Sequence, residues 1–378
     1  MAAKKKSGIQ QDEKMDIPQT KPEGLKLRHI KVRNFKALDD LELDFPPPRM
    51  SYDPDVIVIG SRNGVGKTSV LESCALLVLA EAIGPRSFLL GRSPEMPIDV
   101  LDLLIRTGAA AAGLEGTFRR NSKESKASVN LEKSGWVDIR EGVGPVTRSV
   151  LGTLPNQPDL LQPFLFSLMG LNAEPIISPH CLYFHSYRKV SERNPELGML
   201  VSGERLSRTS RYGPGFDSQV STFKFQLLQA MMGKAQLFDT SDNESAGDAL
   251  GKLNELVERY AGGTIGKLRP SEDNAVDFRI HPIKGGESFT FNGLSSGQKE
   301  IISTLFLIWY HSRKVPKVVL IDEPELHLNA EWHSDFVRQI FALAPENQYI
   351  IASHSKHIFA SVEADRRILL SASEEAVT

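Results

Sequence analysis

The sequence predicts an α/β fold in which buried parallel strands carry the residues of a phosphate site. Residues 56–59 are a continuous β-branched run, as expected for a strand buried on both faces of a sheet. A glycine-rich loop at residues 60–66 follows and leads into an apolar helix to about residue 82. Two further apolar runs, residues 318–321 and 348–352, each end in polar side chains. Because ligands of open α/β sheets bind at the carboxyl ends of the strands, we expect one shared site.

The composition is that of a globular protein. The 378 residues are 40% hydrophobic and 24% charged, with a formal net charge of −2, which argues against a disordered chain and against nucleic-acid binding over the whole surface. Cys74 and Cys181 match no disulfide or metal-ligand spacing, so we expect the reducing cytoplasm. The longest apolar run, residues 74–83, is about half of what a membrane crossing needs, and the N-terminus has no signal-peptide core. We therefore expect no membrane partner.

The two ends of the chain are predicted to form one head, and the middle a second lobe. Residues 1–24 combine a lysine triplet with polar residues and prolines and lack an apolar period, which predicts a disordered tail. We assign residues 25–83 and 270–378 to a bipartite head, and residues 84–269 to an inserted lid lobe of strands and helices.

Apolar spacing predicts the remaining elements. We expect a turn at residues 38–40, between the first two strands. The expected strands are residues 27–35, 41–45, 114–119, 128–140, 182–185 and 367–370, and the expected helices are residues 98–105, 219–238, 246–261 and 301–310.

The glycine-rich loop has the residues that a triphosphate needs. Gly64 and Gly66 let backbone amides surround the β-phosphate, Lys67 reaches the β- and γ-phosphates, and the Thr68 hydroxyl can ligate Mg²⁺. The strict phosphate-loop pattern has a glycine at the position of Ser61. In this chain the glycine is Gly60, one residue earlier. The candidates for nucleotide contact at this loop are Asn63, Gly64, Val65, Gly66, Lys67, Thr68 and Ser69.

Acidic residues follow the strand at residues 318–321. Asp322 is expected to hold Mg²⁺ through water, and Glu323 to orient or deprotonate an attacking water. His354 follows the strand at residues 348–352 and can hydrogen-bond the γ-phosphate or that water. The turn at residues 294–298, Leu-Ser-Ser-Gly-Gln, precedes an apolar helix whose positive end could hold a phosphate.

In this order the motifs resemble the ATP-binding-cassette (ABC) type of P-loop ATPases, in the soluble branch of RecF, the SMC heads and the OLD proteins. The resemblance covers about residues 25–82 and 274–370. The similar segments are residues 30–36 (first strand), 294–298 (family signature), 322–328 (acidic motif of OLD-like members) and 352–355 (switch histidine).

The resemblance implies an ABC-type head, a mixed sheet with flanking helices, that binds ATP and Mg²⁺ and hydrolyses ATP. Two such heads would pair head to tail, each ATP lying between the phosphate loop of one protomer and the signature of the other. Ser295, Gly297 and Gln298 would then contact the nucleotide of the partner, and Lys36 is a further nucleotide-contacting candidate. The family usually has a glutamine after the strand at residues 182–185; this chain has none, and His185 and Arg188 are the candidates to replace it.

Two classes of function stay open, and a transporter's nucleotide-binding subunit is a third and weaker alternative. The first is a regulatory ATPase of a bacterial antiphage system that acts through a separately encoded effector nuclease or toxin. The second is a RecF-like ATPase of DNA repair or chromosome maintenance that clamps nucleic acid. A basic stretch at residues 188–211 could contact a phosphate backbone, but its few aromatic residues favour a solvated loop or a protein-partner surface. The chain ends at Thr378, soon after His354, so we expect no appended nuclease domain.

Overall fold

The chain forms two six-stranded sheets and two small ones in the computed structural model, which describes residues 23–50, 52–61, 64–89, 100–141, 174–196, 221–234, 245–266, 269–270 and 276–371. The strands are β1 Lys26–Phe35, β2 Leu38–Asp44, β3 Val56–Gly60, β4 Arg86–Leu89, β5 Ala111–Arg120, β6 Lys123–Glu132, β7 Trp136–Glu141, β8 Ile176–Ile177, β9 Cys181–Phe184, β10 Gly263–Ile265, β11 Arg269–Pro270, β12 Val276–Asp277, β13 Arg279–Pro282, β14 Phe289–Thr290, β15 Val318–Asp322, β16 Gln348–Ser353 and β17 Arg367–Leu369. The α-helices are α1 Lys67–Ile83, α2 Val100–Leu104, α3 Thr222–Lys234, α4 Ser245–Ala261, α5 Ser296–Ser312, α6 Ala330–Leu343 and α7 Lys356–Ala360.

The core sheet positions the predicted site. Its strand order is β17-β3-β16-β15-β9-β8, and all neighbours are parallel except β8, which runs antiparallel to β9. Gly60 of β3 lies opposite Ser353 of β16, and Asp322 of β15 lies opposite Ala352. The loops after β3, β15 and β16 therefore leave the same edge of the sheet, as the sequence predicted.

The core sheet lies between two apolar cores, and the β-branched side chains of β3 pack into both of them. Ile57 and Ile59 face one apolar core, which contains α1 and the antiparallel sheet β2-β1-β5-β6-β7-β4. Val56 and Val58 face the other core, which contains helices α3 to α6. Successive side chains of a strand point to opposite faces, so a strand between two cores needs apolar residues at every position. This arrangement confirms the predicted mixed α/β head.

Three predicted local features were wrong. The turn between β1 and β2 lies at residues 36–37, where Lys36 has a φ of 50°, and residues 38–40 belong to β2. The range 128–140 is not one strand, because a turn at residues 133–135 with Gly135 at a φ of 100° separates β6 from β7. Helix α5 begins at Ser296, five residues before the expected start, because Ser295 caps it.

The middle of the chain contributes to both large sheets. Strands β4 to β7 extend the antiparallel sheet that β1 and β2 begin, and β9 pairs with β15 in the core sheet. The division into a head and a lid at residues 84 and 269 stays a prediction. Residues 1–22 of the predicted tail lie outside the described residues. No helix within the described ranges is long and apolar enough to cross a membrane.

Candidate functional site

The phosphate loop is shaped by close contacts at two glycines. Gly66 has a φ of 98°, and a Cβ there would lie 2.7 Å from the Leu38 side chain of the β1–β2 hairpin. At Gly60 a Cβ would lie 2.7 Å from the ring of Phe359. The glycine that precedes Ser61 therefore admits the Phe359 ring of α7, while the hydroxyl of Ser61 accepts a hydrogen bond from Lys67 Nζ at 3.2 Å. Asn63 lies outside the described residues.

Lys67 lies at the start of α1, beside the residues predicted from the other strands. Its Nζ lies 2.7 Å from His354 Nε2, and the same ring nitrogen lies 2.9 Å from Glu323 Oε1. Burial lowers the pKa of Lys67, and the carboxylates of Glu323, Asp322 and Glu325 oppose this. The structure therefore brings the lysine predicted to bind phosphate, the predicted base and the predicted switch histidine into one cluster.

Thr68 and Asp322 are in direct contact. The Thr68 hydroxyl donates to Asp322 Oδ2 at 2.8 Å. Asp322 is fully buried, and its Oδ1 has no hydrogen-bond partner among the residues that the structure describes. Burial raises the pKa of Asp322 to about 6, against the hydrogen bond from Thr68. A buried carboxylate oxygen without a partner, beside a hydroxyl, fits the hard oxygen ligands that Mg²⁺ prefers.

Glu323 has an unusual backbone. Its φ of 44° and ψ of 59° are left-handed, a conformation that few residues other than glycine adopt. The turn is fixed because the Glu323 amide donates to Ala352 O at 2.9 Å, and Pro324 then starts a short 3₁₀ helix. Such backbone strain is concentrated at functional sites. Here it places the Glu323 carboxylate against His354.

Glu325 holds the turn after β16, a role that sequence reasoning missed. Its Oε2 accepts from the Ser353 hydroxyl at 2.9 Å, and its Oε1 accepts from the amides of His354 and of Ser355, the latter at 3.2 Å. Three donors on one carboxylate fix the backbone on both sides of His354. The position of His354 therefore depends on Glu325.

The signature turn is ordered by a capping box. Ser295 Oγ accepts from the amide of Gln298 at 3.3 Å, and Gln298 Oε1 accepts from the amide of Ser295 at 3.1 Å. The Gln298 amide group also donates to Tyr260 O at 2.9 Å. Ser295 and Ser296 are exposed, and the first amides of α5 have no partner within the helix. In the described part of the chain, none of these side-chain hydrogen bonds reaches the phosphate loop.

Lys36 lies in the hairpin turn beside Gly66. Its Nζ is 2.7 Å from Glu72 Oε1 on α1. Burial raises the pKa of Glu72 to about 7, and Lys36 opposes this. The amine is therefore held beside α1, and nucleotide contact by Lys36 stays a prediction.

The two candidates for the absent glutamine differ sharply. His185 is buried, its Nε2 hydrogen-bonds Glu174 O at 3.0 Å, and its ring stacks on Tyr187. Burial lowers the pKa of His185 to about 4, so the ring is neutral near pH 7. Arg188 instead donates to the main-chain oxygen of Asp322 at 2.8 Å. Of the two, Arg188 is the one in contact with the site.

Comparison with known proteins places these motifs in a family. A family model described as "AAA domain, putative AbiEii toxin, Type IV TA system" matches residues 57–360. The Retron Vc95 probable ATPase of Vibrio cholerae serotype O1 biovar El Tor is 25% identical over 124 residues, which are 30% of this chain and 24% of that protein. The match therefore spans less than a third of either chain.

Solved structures share the fold at low identity. An Smc head domain with an extended coiled coil, bound to the C-terminal domain of ScpA and derived from Pyrococcus furiosus, has a TM-score of 0.50 at 12% identity, over 89% of this chain and 92% of that one. The recombination mediator protein RecF has a TM-score of 0.47 at 14% identity, over 91% of this chain and 95% of that one. The chain thus shares its fold with an Smc head domain, and it belongs to the family described as "AAA domain, putative AbiEii toxin, Type IV TA system".

Proposed function

We propose that this chain binds ATP with Mg²⁺ and hydrolyses it at the carboxyl edge of the core sheet. The observation that carries the proposal is the cluster around Lys67: Thr68 and Asp322 on one side, Glu323 and His354 on the other. Three separate strands deliver these groups to one place. Membership in an ATPase family supports the same activity.

Each residue then has a specific role. The ammonium of Lys67 neutralises the β- and γ-phosphates, and the loop around Gly66 offers its amides to them. Thr68 and Asp322 would hold Mg²⁺, which supplies positive charge against the phosphates. Glu323 orients or deprotonates the attacking water, and His354 hydrogen-bonds that water or the γ-phosphate.

We further propose that two heads pair head to tail. The signature turn, in which Ser295 and Ser296 are exposed, presents helix amides and the Ser295 hydroxyl to solvent, as a surface that completes the site of another protomer would. ATP has a γ-phosphate to bridge the two surfaces and ADP has none. Hydrolysis therefore loosens the pair, and the bound nucleotide controls assembly.

For the biological role we propose a cytoplasmic, nucleotide-controlled regulatory scaffold or sensor in bacterial antiphage defence, acting through a separately encoded effector nuclease or toxin. The description of the matched family names a putative toxin and a type IV toxin–antitoxin system, and one relative is named as the probable ATPase of a retron. The family description supports a role in a toxin system, and the name of the relative supports an ATPase that belongs to a larger system. The OLD-like acidic motif at residues 322–328 fits the same class.

A DNA-clamping function is the second candidate, favoured by the fold likeness to an Smc head. Hydrolysis by the purified full chain, measured with Mg²⁺ in the presence and absence of DNA, separates the two. Antiphage regulation predicts DNA-independent hydrolysis and co-purification with the product of a neighbouring gene. Stimulation by DNA without such a partner would favour the clamp. No hydrolysis under any condition would contradict both.

A further inference from the structure

A short segment after β9 connects the predicted metal edge to the signature helix. Arg188 lies at its start, is only 4% exposed, and donates from one guanidinium nitrogen to His185 O at 2.9 Å and to Asp322 O at 2.8 Å. Asp322 O belongs to the last residue of β15, directly before the strained Glu323. The guanidinium therefore fixes the backbone that carries both acids.

The other side of Arg188 faces the signature helix. Its Nε lies 3.8 Å from Oε2 of Glu300, which belongs to the second turn of α5 and is itself 6% exposed. Oε1 of Glu300 accepts from the amide of Val190 at 2.7 Å. Burial raises the pKa of Glu300, and Arg188 opposes this. Two buried charges that face each other hold their elements in register, because separating them leaves each charge without a partner.

The same segment then fixes the turn that leads into the signature. Lys224 of α3 donates to Glu192 O at 2.9 Å and to Asn292 Oδ1 at 2.6 Å, and Asn292 Nδ2 donates to Glu192 O at 2.8 Å. Lys299 of the signature helix is 3.6 Å from the Glu192 carboxylate. The segment 188–192 thus contacts β15 at one end, through Arg188, and the start of α5 at the other end, through Glu192.

We propose that Arg188 is a positioning residue that couples the Asp322–Glu323 edge to the signature of its own protomer through Glu300. The proposal rests on the paired-head function proposed above. In such a pair, Asp322 serves the nucleotide bound by its own loop, whereas Ser295 of the same chain serves the nucleotide of the other protomer. Arg188 then links two ATP sites, so that occupation of one affects hydrolysis at the other.

A second buried arginine, at the amino ends of the core-sheet strands, provides a matched control. Arg366 is also buried, pairs with Asp55 at 2.8 Å, and donates to the carbonyls of Pro46 and Pro54. Asp55 precedes β3 and Arg366 precedes β17, so this pair lies at the amino ends of the strands, away from the site. Arg366→Met removes a buried arginine partner of Asp55, which keeps Arg28 at 2.9 Å, without touching the signature.

The test uses the full chain and compares wild type with Arg188→Met, Arg188→Lys, Glu300→Gln and Arg366→Met. Binding of a fluorescent ATP analogue gives the affinity, and hydrolysis against ATP concentration gives kcat, KM and the Hill coefficient. Glu300→Gln is expected to fold, because it keeps the acceptor for Val190 and removes only the charge. We expect Arg188→Met and Glu300→Gln to keep the binding affinity, to lower kcat about tenfold and to lose cooperativity. Arg188→Lys, which keeps the charge, is expected to recover part of both.

Two outcomes overturn the inference. In the first, wild type hydrolyses ATP cooperatively, and Glu300→Gln or Arg188→Met has the same kcat and Hill coefficient as Arg366→Met. The coupling is then wrong, and the proposed ATPase activity stands. If wild type binds ATP but neither hydrolyses nor pairs, the proposed function and the coupling both fail.

Discussion

The hydroxyl of Thr68 donates a hydrogen bond to Oδ2 of Asp322 at 2.8 Å, although 254 residues separate them in the chain. Thr68 lies at the start of α1, directly after the phosphate loop, and Asp322 is the last residue of β15. The contact joins the two halves of the chain that carry the nucleotide motifs. These two side chains are the ones that would hold the proposed Mg²⁺.

Asp322 should make both stability and metal binding depend on pH. Its pKa in the folded protein, about 6, is above its usual 3.8, so folding favours the protonated carboxyl. As pH rises from 3.8 to about 6, Asp322 therefore lowers the free energy of unfolding of the metal-free protein. The carboxylate ionises over the same range, so the affinity for Mg²⁺ rises. Asp322→Asn should raise the free energy of unfolding at pH 7.5 without metal by on the order of 2 kcal/mol and abolish stabilisation by Mg²⁺ with ATP. Thermal unfolding of both proteins between pH 5 and pH 8, each with and without Mg²⁺ and ATP, measures this; a constant difference between them across that range would contradict it.

Lys67→Ala should lower ATP affinity by about one to two orders of magnitude, because the phosphates lose a charge-assisted donor. The free energy of unfolding without nucleotide should change little, because burial disfavours the charged form of Lys67 in the folded protein. Isothermal titration of wild type and variant with ATP and Mg²⁺ measures the loss. Lys31→Ala, which removes a lysine paired with Glu42 on the antiparallel sheet, is the control. Equal affinity of Lys67→Ala and wild type would refute the site.

Glu323→Gln should bind ATP with wild-type affinity and hydrolyse it about 10²- to 10⁴-fold more slowly, because the amide cannot accept the proton of the attacking water. The slow step should hold the paired state, which light scattering with ATP can measure. Hydrolysis at the normal rate would place the base elsewhere.

Glu325→Ala should lower kcat and leave ATP affinity close to that of wild type, because His354 loses the carboxylate that fixes its backbone. Glu325→Gln keeps an acceptor for one side of the turn and should recover part of the rate. Steady-state kinetics of the two variants with matched nucleotide-binding measurements decides this. A wild-type kcat in Glu325→Ala would show that the turn after β16 does not need Glu325.

The sequence predicted those parts of the site that depend on local spacing. The phosphate loop, the acids after β15 and His354 after β16 all follow buried strands, and parallel strands necessarily bring their carboxyl ends together. Glu325 was beyond this reasoning because its three donors lie at the end of β16 and in the turn that follows it. Arg188 shows no periodic signal, and its contacts with Asp322 and Glu300 depend on tertiary packing.

Some local features carried a signal that was missed. Ser295 and Gln298 have the spacing of a capping box, which predicts a helix start at Ser296 rather than at residue 301. At Lys36, by contrast, no turn-forming glycine or asparagine occupies residues 36–37 to mark the hairpin.

The central claim is that each ATP site is completed by the signature of another protomer, and mixing two inactive variants tests it most directly. Lys67→Ala lacks the phosphate-binding lysine but keeps its signature, whereas Ser295→Arg keeps the loop and blocks the signature. Ser295→Thr retains the capping hydroxyl and serves as the control for α5. In an equal mixture, half of the pairs contain both variants and each has one complete site. We expect the mixture to recover hydrolysis, at up to about a quarter of the wild-type rate and less where the inactive second site slows the complete one through the proposed coupling, while each variant alone is inactive. A mixture as inactive as its components, or wild-type hydrolysis by Ser295→Arg alone, would contradict the shared site.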